Sequence, residues 1–290
     1  MLSERYSRQI LAFGEEGQKQ IEATYVGIVG LGGLGSQVAL ALAYLGVGSL
    51  LVVDDDRVDK SNLNRMVTAF PEDAEAQTFK VVTAERQIKQ IRPETKVQIV
   101  PKNVRTREAL EALISCPVIF GCVDSDGPRL ILTELAAAYS AALIDTATEI
   151  IPRNGTVEDF GGRVVVARAG EFCLDCANEL NMEAAKQELE PEAARAARRV
   201  PGYGLGGQGK AASVVSLNGI VANLAVTEFS AMVTGLREVH RYIVYYGMQS
   251  SVKVRTNPRR EDFFICGALA NNREQANIFR YVDPVNAKLS

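Results

Sequence analysis

Tyr25-Val26-Gly27-Ile28-Val29-Gly30-Leu31-Gly32-Gly33-Leu34-Gly35-Ser36 is the stretch that decides the fold. Its first five residues form a short apolar run rich in β-branched side chains. From Ser36 to Gly46 the apolar residues Val38, Leu42 and Leu45 recur at helical spacing among alanines. That change of period predicts a strand, a tight turn and a helix. A second apolar run, Ser49-Leu50-Leu51-Val52-Val53, ends in Asp54-Asp55-Asp56. The acids stand about twenty residues beyond the glycines, the distance at which a βαβ unit delivers a carboxylate to a ribose. Gly30, Gly32, Gly33 and Gly35 have a physical reason. A phosphate rests on a helix N-terminus only where bare backbone lets free N–H groups reach it. The unit therefore predicts nucleotide binding, and by itself it suits NAD, FAD, S-adenosylmethionine or ATP.

The segment that follows, Arg57-Val58-Asp59-Lys60-Ser61-Asn62-Leu63-Asn64-Arg65, lies at the C-terminal end of a parallel strand, where ligands of open α/β sheets sit. A triphosphate needs hydrogen bonds and positive charge there, which Asn62 and Arg65 offer and a hydride-transfer site does not require. The reading tilts towards ATP. A helical pattern over 75–91 carries Lys80, a strand follows at 96–100, and a helix at 106–115. The apolar run Pro117 to Val123, expected of a central strand covered on both faces, ends in Asp124-Ser125-Asp126 and aims Asp124 at the same crevice. Ser125 or Asp126 would suit equally as the cap of the next helix. With a fifth strand at 142–146, the alternation predicts an α/β fold built on a doubly wound, mainly parallel, Rossmann-like sheet.

Beyond residue 146 the rhythm changes. Strands at 161–168, 241–247 and 251–255 predict an antiparallel C-terminal extension, separated by a helix over 181–199 and a glycine-rich, mobile connection at 190–212. An apolar helix runs from Ala211 to Val233. At the other end, residues 3–24 read as helical, with Ser3 as cap, Gly14 and Gly17 as breaks, and Arg5 and Arg8 on one face. One domain of 290 residues accounts for all of this: N-terminal helices in 1–24, a nucleotide-binding core in 25–146, and a partner-binding part in 147–290.

Composition narrows the function. A net charge of −3 argues against a generic nucleic-acid or anionic-membrane binder, both of which need clustered Lys and Arg. Asn218, Asn223 and Glu228 interrupt the most apolar run at spacings a bilayer tolerates poorly, so a buried helix is expected. Five cysteines do not make a disulfide framework, and without an N-terminal apolar leader a reducing, cytoplasmic setting is expected. The single histidine, His240, leaves little room for Ser-His-acid or His-rich metal chemistry.

Six motifs occur in a specific order: Arg5-Tyr6-Ser7-Arg8-Gln9, Gly30-x-Gly32-Gly33-x-Gly35, Asp54-x-Asp56, Ser61-Asn62-Leu63-Asn64-Arg65, Lys80 and Val123-Asp124. In this combination the chain resembles the ThiF/HesA/MoeB superfamily, adenylyltransferases related to the ubiquitin-activating enzymes, over about residues 3–250. The resemblance implies ATP and Mg2+ as cofactors. It also implies adenylation of the C-terminal glycine of a small β-grasp, ubiquitin-like or sulfur-carrier protein, with release of pyrophosphate. By the same resemblance Asp54 holds the ribose hydroxyls, with Asp56 in the nucleotide-binding set, and Asn62 and Arg65 meet the phosphates. Lys80 neutralises charge near the α-phosphate, Asp124 helps to place magnesium, and Arg8 reaches into the ATP site of the other subunit of a homodimer.

Two departures stand out. Gln77 occupies the position where family members carry a glycine, three residues before the lysine. Many members bind structural zinc with two C-x-x-C pairs; here Cys173 and Cys176 form the first, Phe263 stands where the second begins, and Cys266 remains. Zinc with a fourth donor from elsewhere, or a cluster of reduced thiols, are both open. The crossover before the long helix holds no cysteine. The resemblance therefore implies an acyl-adenylate passed to another nucleophile, such as a downstream conjugating protein, with a thioester on Cys173 or Cys176 or an oxyester on Ser213 as the other routes. The competing readings are an NAD-dependent oxidoreductase, which leaves Arg8, Asn62, Arg65 and Lys80 without a task, and an inactive homologue that only binds the carrier.

Overall fold

The computed structural model describes residues 4–190, 212–260 and 264–282. Eight strands form one sheet in the order β3-β2-β1-β4-β5-β6-β7-β8. They are β1 (Tyr25–Val29), β2 (Ser49–Val53), β3 (Lys96–Val100), β4 (Val118–Gly121), β5 (Ala142–Arg153), β6 (Thr156–Ala167), β7 (Tyr242–Tyr246) and β8 (Ser251–Val254). The first five pair in parallel, and β5 to β8 pair antiparallel. The doubly wound sheet and its antiparallel extension are thus as the sequence predicts. Strands β5 and β6 run well beyond the expected 142–146 and 161–168, as two arms of one long hairpin.

Helices cover both faces. On one lie α1 (Ser7–Ala23), α2 (Gly33–Leu45), α4 (Lys80–Ile91) and α9 (Val215–Thr234); on the other, α5 (Arg107–Ile114), α6 (Asp126–Tyr139), α7 (Leu174–Ala177) and the C-terminal turns. Each face carries its own apolar core, because strand side chains alternate between them: Val26 and Ile28 point to the first, Val29 to the second. Short α3 (Pro71–Glu75) and α8 (Met182–Leu189) complete the set among the described residues.

Several boundaries differ from expectation for physical reasons. The helix predicted at 75–91 begins only at Lys80, as α4; Glu75 closes α3, and the chain turns between them at Gln77, whose φ is 51°. Gly14 kinks α1 with φ 72°, as expected, but Gly17 does not break it. A Cβ there would come within 3.0 Å of Phe13 and 3.2 Å of Thr234, so Gly17 marks the close approach of α1 to α9. Ser3 and residues 191–211, including most of the predicted mobile connection, lie outside the described residues.

Helix α9 is long and apolar enough to cross a membrane by length and composition, yet it packs on α1, α2, β5 and β6. Its polar residues find partners within the fold. Glu228, 1% exposed, accepts from Arg237 Nη2 at 2.5 Å and from the His240 backbone N–H at 2.9 Å. The junction between the parallel and antiparallel halves is held by charge. Arg163, on β6, donates to buried Asp145 Oδ2 at 2.5 Å and to Glu179 Oε2 at 2.6 Å, and Tyr242 hydroxyl donates to Glu179. Such a buried network is safe only when its charges are paired, as these are.

Candidate functional site

Strand order reverses between β1 and β4, and the crevice outside their carboxyl ends is where an open α/β sheet binds its ligand. The four glycines at that point have four different jobs. Gly30 turns the chain with φ 88°, and a Cβ on it would lie 2.5 Å from the Cys122 carbonyl at the end of β4. At Gly35 a Cβ would overlap the Gly30 carbonyl, and at Gly33 it would overlap the Asn218 amide from α9. Gly32 alone faces open space, with nothing within 4 Å of a Cβ. It caps the N-terminus of α2 with no side chain bonded there, so this helix end presents unobstructed amides to the crevice.

Asp54, at the tip of β2, braces the loop from the side. Its Oδ2 accepts from Leu31 N–H at 2.5 Å and its Oδ1 from Asp56 N–H at 2.8 Å. Burial pushes the Asp54 carboxyl up to about 6, against the opposing pull of Lys80 and of those amides. Lys80 opens α4 and is 8% exposed; its Nζ lies 2.6 Å from Asp56 Oδ2, and its backbone N–H bonds the Asp56 carbonyl. The cation is thus buried beside the two acids at the edge of the crevice. Asp55 accepts from Asn103, and Asp54, Asp55 and Asp56 keep carboxylate oxygens within 4.8 Å of one another.

The segment after β2 folds over the loop. Asn62 closes a capping box with Asp59, its Oδ1 accepting from Asp59 N–H at 3.0 Å, which leaves Nδ2 as a donor. Arg65 Nη1 donates to the Ser61 carbonyl at 2.5 Å, and the arginine stem lies 3.3 Å from where a Gly33 Cβ would stand. Ser36 Oγ, in α2, accepts from Val67 N–H and ties the two segments together. Asp124 stands exposed at the end of β4 and makes no bond among the described residues. A free carboxylate beside a phosphate site fits the oxygen donors that magnesium takes. The structure therefore brings Gly32, Asp54, Asp56, Asn62, Arg65, Lys80 and Asp124 to one crevice.

The ThiF family model matches residues 6–267. The chain belongs to the ThiF family. It is similar to the sulfur carrier protein ThiS adenylyltransferase of Escherichia coli K12, 32% identical over 164 residues, which take in 56% of this chain and 61% of that enzyme. It is also similar to the SAMP-activating enzyme E1 of Haloferax volcanii, 30% identical over 175 residues, 60% of this chain and 61% of that one. Of the Aspergillus fumigatus adenylyltransferase and sulfurtransferase uba4 the match spans only 35%. The chain thus spans about three fifths or less of these relatives. Among solved structures, E. coli MccB with ATP superposes with TM-score 0.67 at 19% identity, over 91% of this chain and 75% of that one, a likeness of fold.

Gln77, the departure from the family glycine, keeps a glycine's backbone: its φ of 51° is left-handed. The turn is held instead by side chains. Gln77 Nε2 donates to the carbonyls of Val58 and Ala74 at 3.1 and 3.2 Å, and Arg57, stacked on Phe79, donates to the Gln77 carbonyl at 2.7 Å. Lys80 consequently still opens its helix. The bidentate pair of Arg86 with buried Asp73, which holds that carboxyl below its ordinary value, fixes α3 against α4.

Arg8 is not brought into the crevice of its own chain. Its neighbour Gln9 donates to the Leu45 carbonyl, at the opposite end of α2 from the glycine loop, and Arg8 itself is exposed without a partner among the described residues. In the ThiF-family chain the three cysteines do come together. Cys173 and Cys176 Sγ lie 3.6 Å apart and Cys176 and Cys266 Sγ 3.5 Å apart, all buried, closing the C-terminal turns onto α7. Hydrogen bonding from the Cys266 thiol and nearby amides lowers Cys173 to about 6, while Cys266 is pushed up by holding its proton for Cys173. These separations match the sulfur–sulfur edge of a tetrahedral thiolate zinc site, about 3.8 Å from bonds of about 2.3 Å. Cys116 and Cys122 are core thiols, each pushed up to about 12 by burial.

Two site residues were not legible in the sequence as such. Asn218 reads as an interruption of an apolar helix. In the structure it is 1% exposed and lies over Gly33, accepting from Thr148 at 3.1 Å and donating to Ser213 at 3.1 Å. The cap of α6 is the other: Ser125 makes no side-chain cap and Asp126 turns to Asn181, so neither expected residue serves, and Glu188 from α8 takes the place.

Proposed function

We propose that this ThiF-family chain is an adenylyltransferase that activates the C-terminal glycine of a small β-grasp carrier protein, of the ubiquitin-like or sulfur-carrier kind. The observation that carries the reading is the convergence on one crevice of a bare helix N-terminus at Gly32, the cations of Arg65 and Lys80, and the exposed carboxylate of Asp124, which has no partner among the described residues. Adenine nucleotides with three phosphates need all of these, whereas a hydride-transfer site leaves the cations unused.

In the reaction a carrier carboxylate oxygen attacks the α-phosphorus of ATP. An acyl-phosphate bond forms, the α–β anhydride bond breaks, and pyrophosphate leaves with that electron pair. The open amides of α2 receive phosphate oxygens, and Asp54 orients the ribose. Asn62 Nδ2 and Arg65 donate to the phosphates. Lys80, already desolvated, turns from Asp56 to the charge that grows at the α-phosphate. Asp124 would hold magnesium, which when bound supplies positive charge to the phosphate oxygens. Arg8, exposed and without a partner among the described residues, fits a role in the crevice of a second copy of a homodimer. Cys173, Cys176 and Cys266 fit zinc as a structural clamp on the C-terminal turns, supplying three thiolates of a tetrahedral set. The raised thiols of Cys116 and Cys122 favour handing the acyl-adenylate to an external nucleophile.

The first test is Mg-ATP binding by calorimetry with NAD as competitor, followed by ATP–pyrophosphate exchange with small Gly-terminated proteins. ATP binding that NAD does not displace, and exchange abolished by Asp124→Ala, are expected. Preferential NAD binding would overturn the reading, and undiminished exchange in Asp124→Ala would remove the role given to that residue.

A further inference from the structure

We infer that Glu188 is a positioning residue for Asp124: helix α8 braces the first turn of α6 and so fixes the strand tip that presents the Asp124 carboxylate. The inference rests on the assignment of Asp124 to magnesium made above. Because Asp124 makes no bond of its own among the described residues, its place is set by the backbone on either side. Upstream, Cys122 N–H bonds the Val29 carbonyl at 2.8 Å and Arg129 Nη2 donates to the Val123 carbonyl at 3.0 Å. Downstream, everything depends on where α6 begins.

That beginning is held from outside the helix. Gly127 N–H donates to Glu188 Oε2 at 2.5 Å, and the contact is tight enough that a Cβ on Gly127 would lie 3.0 Å from that oxygen and 3.2 Å from Glu188 Cβ. At the other end of α8, Asn181 N–H donates to Asp126 Oδ1 at 3.1 Å, while Asn181 Oδ1 caps α8 by accepting from Ala184 N–H. Both ends of α8 are therefore tied to the first turn of α6. The C-terminal end is anchored in turn by Arg105, which donates to the carbonyls of Glu188, Leu189 and Tyr281 at 3.3, 3.0 and 3.3 Å.

The carboxylate also decides between two helix ends. The N-termini of α2 and α6 both open beyond the carboxyl ends of strands β1 and β4, and both would attract phosphate. With Glu188 on α6 that end is occupied, whereas the end at Gly32 has no side-chain cap among the described residues.

The test uses the full chain and the Mg2+ dependence of ATP binding, read by calorimetry from magnesium-free buffer upward. Glu188→Ala is expected to raise the half-saturating Mg2+ severalfold, short of the about tenfold or more that follows loss of a partner bonded directly to a metal ligand, with ATP affinity in magnesium-free buffer unchanged. Glu188→Gln, whose amide oxygen still accepts from Gly127 N–H, should recover most of the loss. A wild-type Mg2+ dependence in Glu188→Ala, or an equal loss of ATP binding with and without Mg2+, would overturn the brace. Asp124→Ala separates the two readings: if it removes the Mg2+ effect while Glu188→Ala does not, the brace alone fails. If Asp124→Ala keeps the wild-type dependence, the assignment of Asp124 fails and the brace falls with it.

Discussion

Replacing the loop glycines one at a time separates ligand approach from fold. At Gly32 the backbone is extended, with φ −71° and ψ −150°, and nothing lies within 4 Å of a new Cβ. Gly32→Ala should therefore leave the fold intact, even gaining about 0.4–1 kcal/mol from a less flexible unfolded chain. In the complex the methyl occupies the space through which a phosphate reaches the amides of α2. Losing one charge-assisted hydrogen bond of about 1.5–3 kcal/mol weakens ATP binding by about ten- to a hundredfold. Gly35→Ala is the contrast. Its Cβ has nowhere to go but into the Gly30 carbonyl, a backbone atom fixed by its own turn, and the overpacking costs about 3 kcal/mol or more. Thermal melts and ATP calorimetry on both variants decide the matter. A Gly32→Ala protein that binds ATP like wild type, or melts as early as Gly35→Ala, would refute the placement of phosphate over Gly32.

Two further outcomes follow from the same geometry. Gln77 bears a left-handed φ that costs an ordinary side chain about 1–2 kcal/mol, offset by its two amide hydrogen bonds. Gln77→Ala loses the bonds and keeps the strain, whereas Gln77→Gly loses both; the glycine variant should be the more stable by about 1 kcal/mol, and denaturant melts giving the reverse order would show that the turn is not strained. The second concerns pH. The Asp54 carboxyl, raised from 3.8 to about 6, binds its proton more tightly folded than unfolded, so its contribution is present below about pH 4 and is lost as pH rises through about 6. At about 1.4 kcal/mol per pH unit this amounts to about 3 kcal/mol in the ligand-free protein. Asp54→Asn should lack that component, so wild type loses stability relative to the variant between pH 4 and pH 7 in chemical unfolding; a gap that stays constant over this interval would contradict it.

Much of the architecture is written in neighbouring residues. Val26 to Val29, Leu50 to Val53 and Val118 to Phe120 are apolar runs too short for helices, and the 3.6-residue spacing of Val38, Leu42 and Leu45 is helical. Alternation of the two periods sufficed for the parallel core, because each element buries the apolar face that its own sequence supplies. The order of the polar motifs likewise set Asp54 and Asp124 at the carboxyl tips of their strands, with Arg65 and Lys80 in the segments that follow β2. What neighbours cannot encode is which distant groups meet. Four glycines look alike in the sequence, yet only Gly32 faces space, because Cys122, Asn218 and the Gly30 carbonyl crowd the others from elsewhere in the fold. Arg8 stands in one of the six ordered motifs, but α1 docks at the far end of α2. Ser125 and Asp126 have the composition of a cap, but the amide they adjoin is taken by Glu188, 61 residues from Gly127. A helix end accepts whichever carboxylate packing brings within 3 Å, and that choice belongs to the tertiary structure.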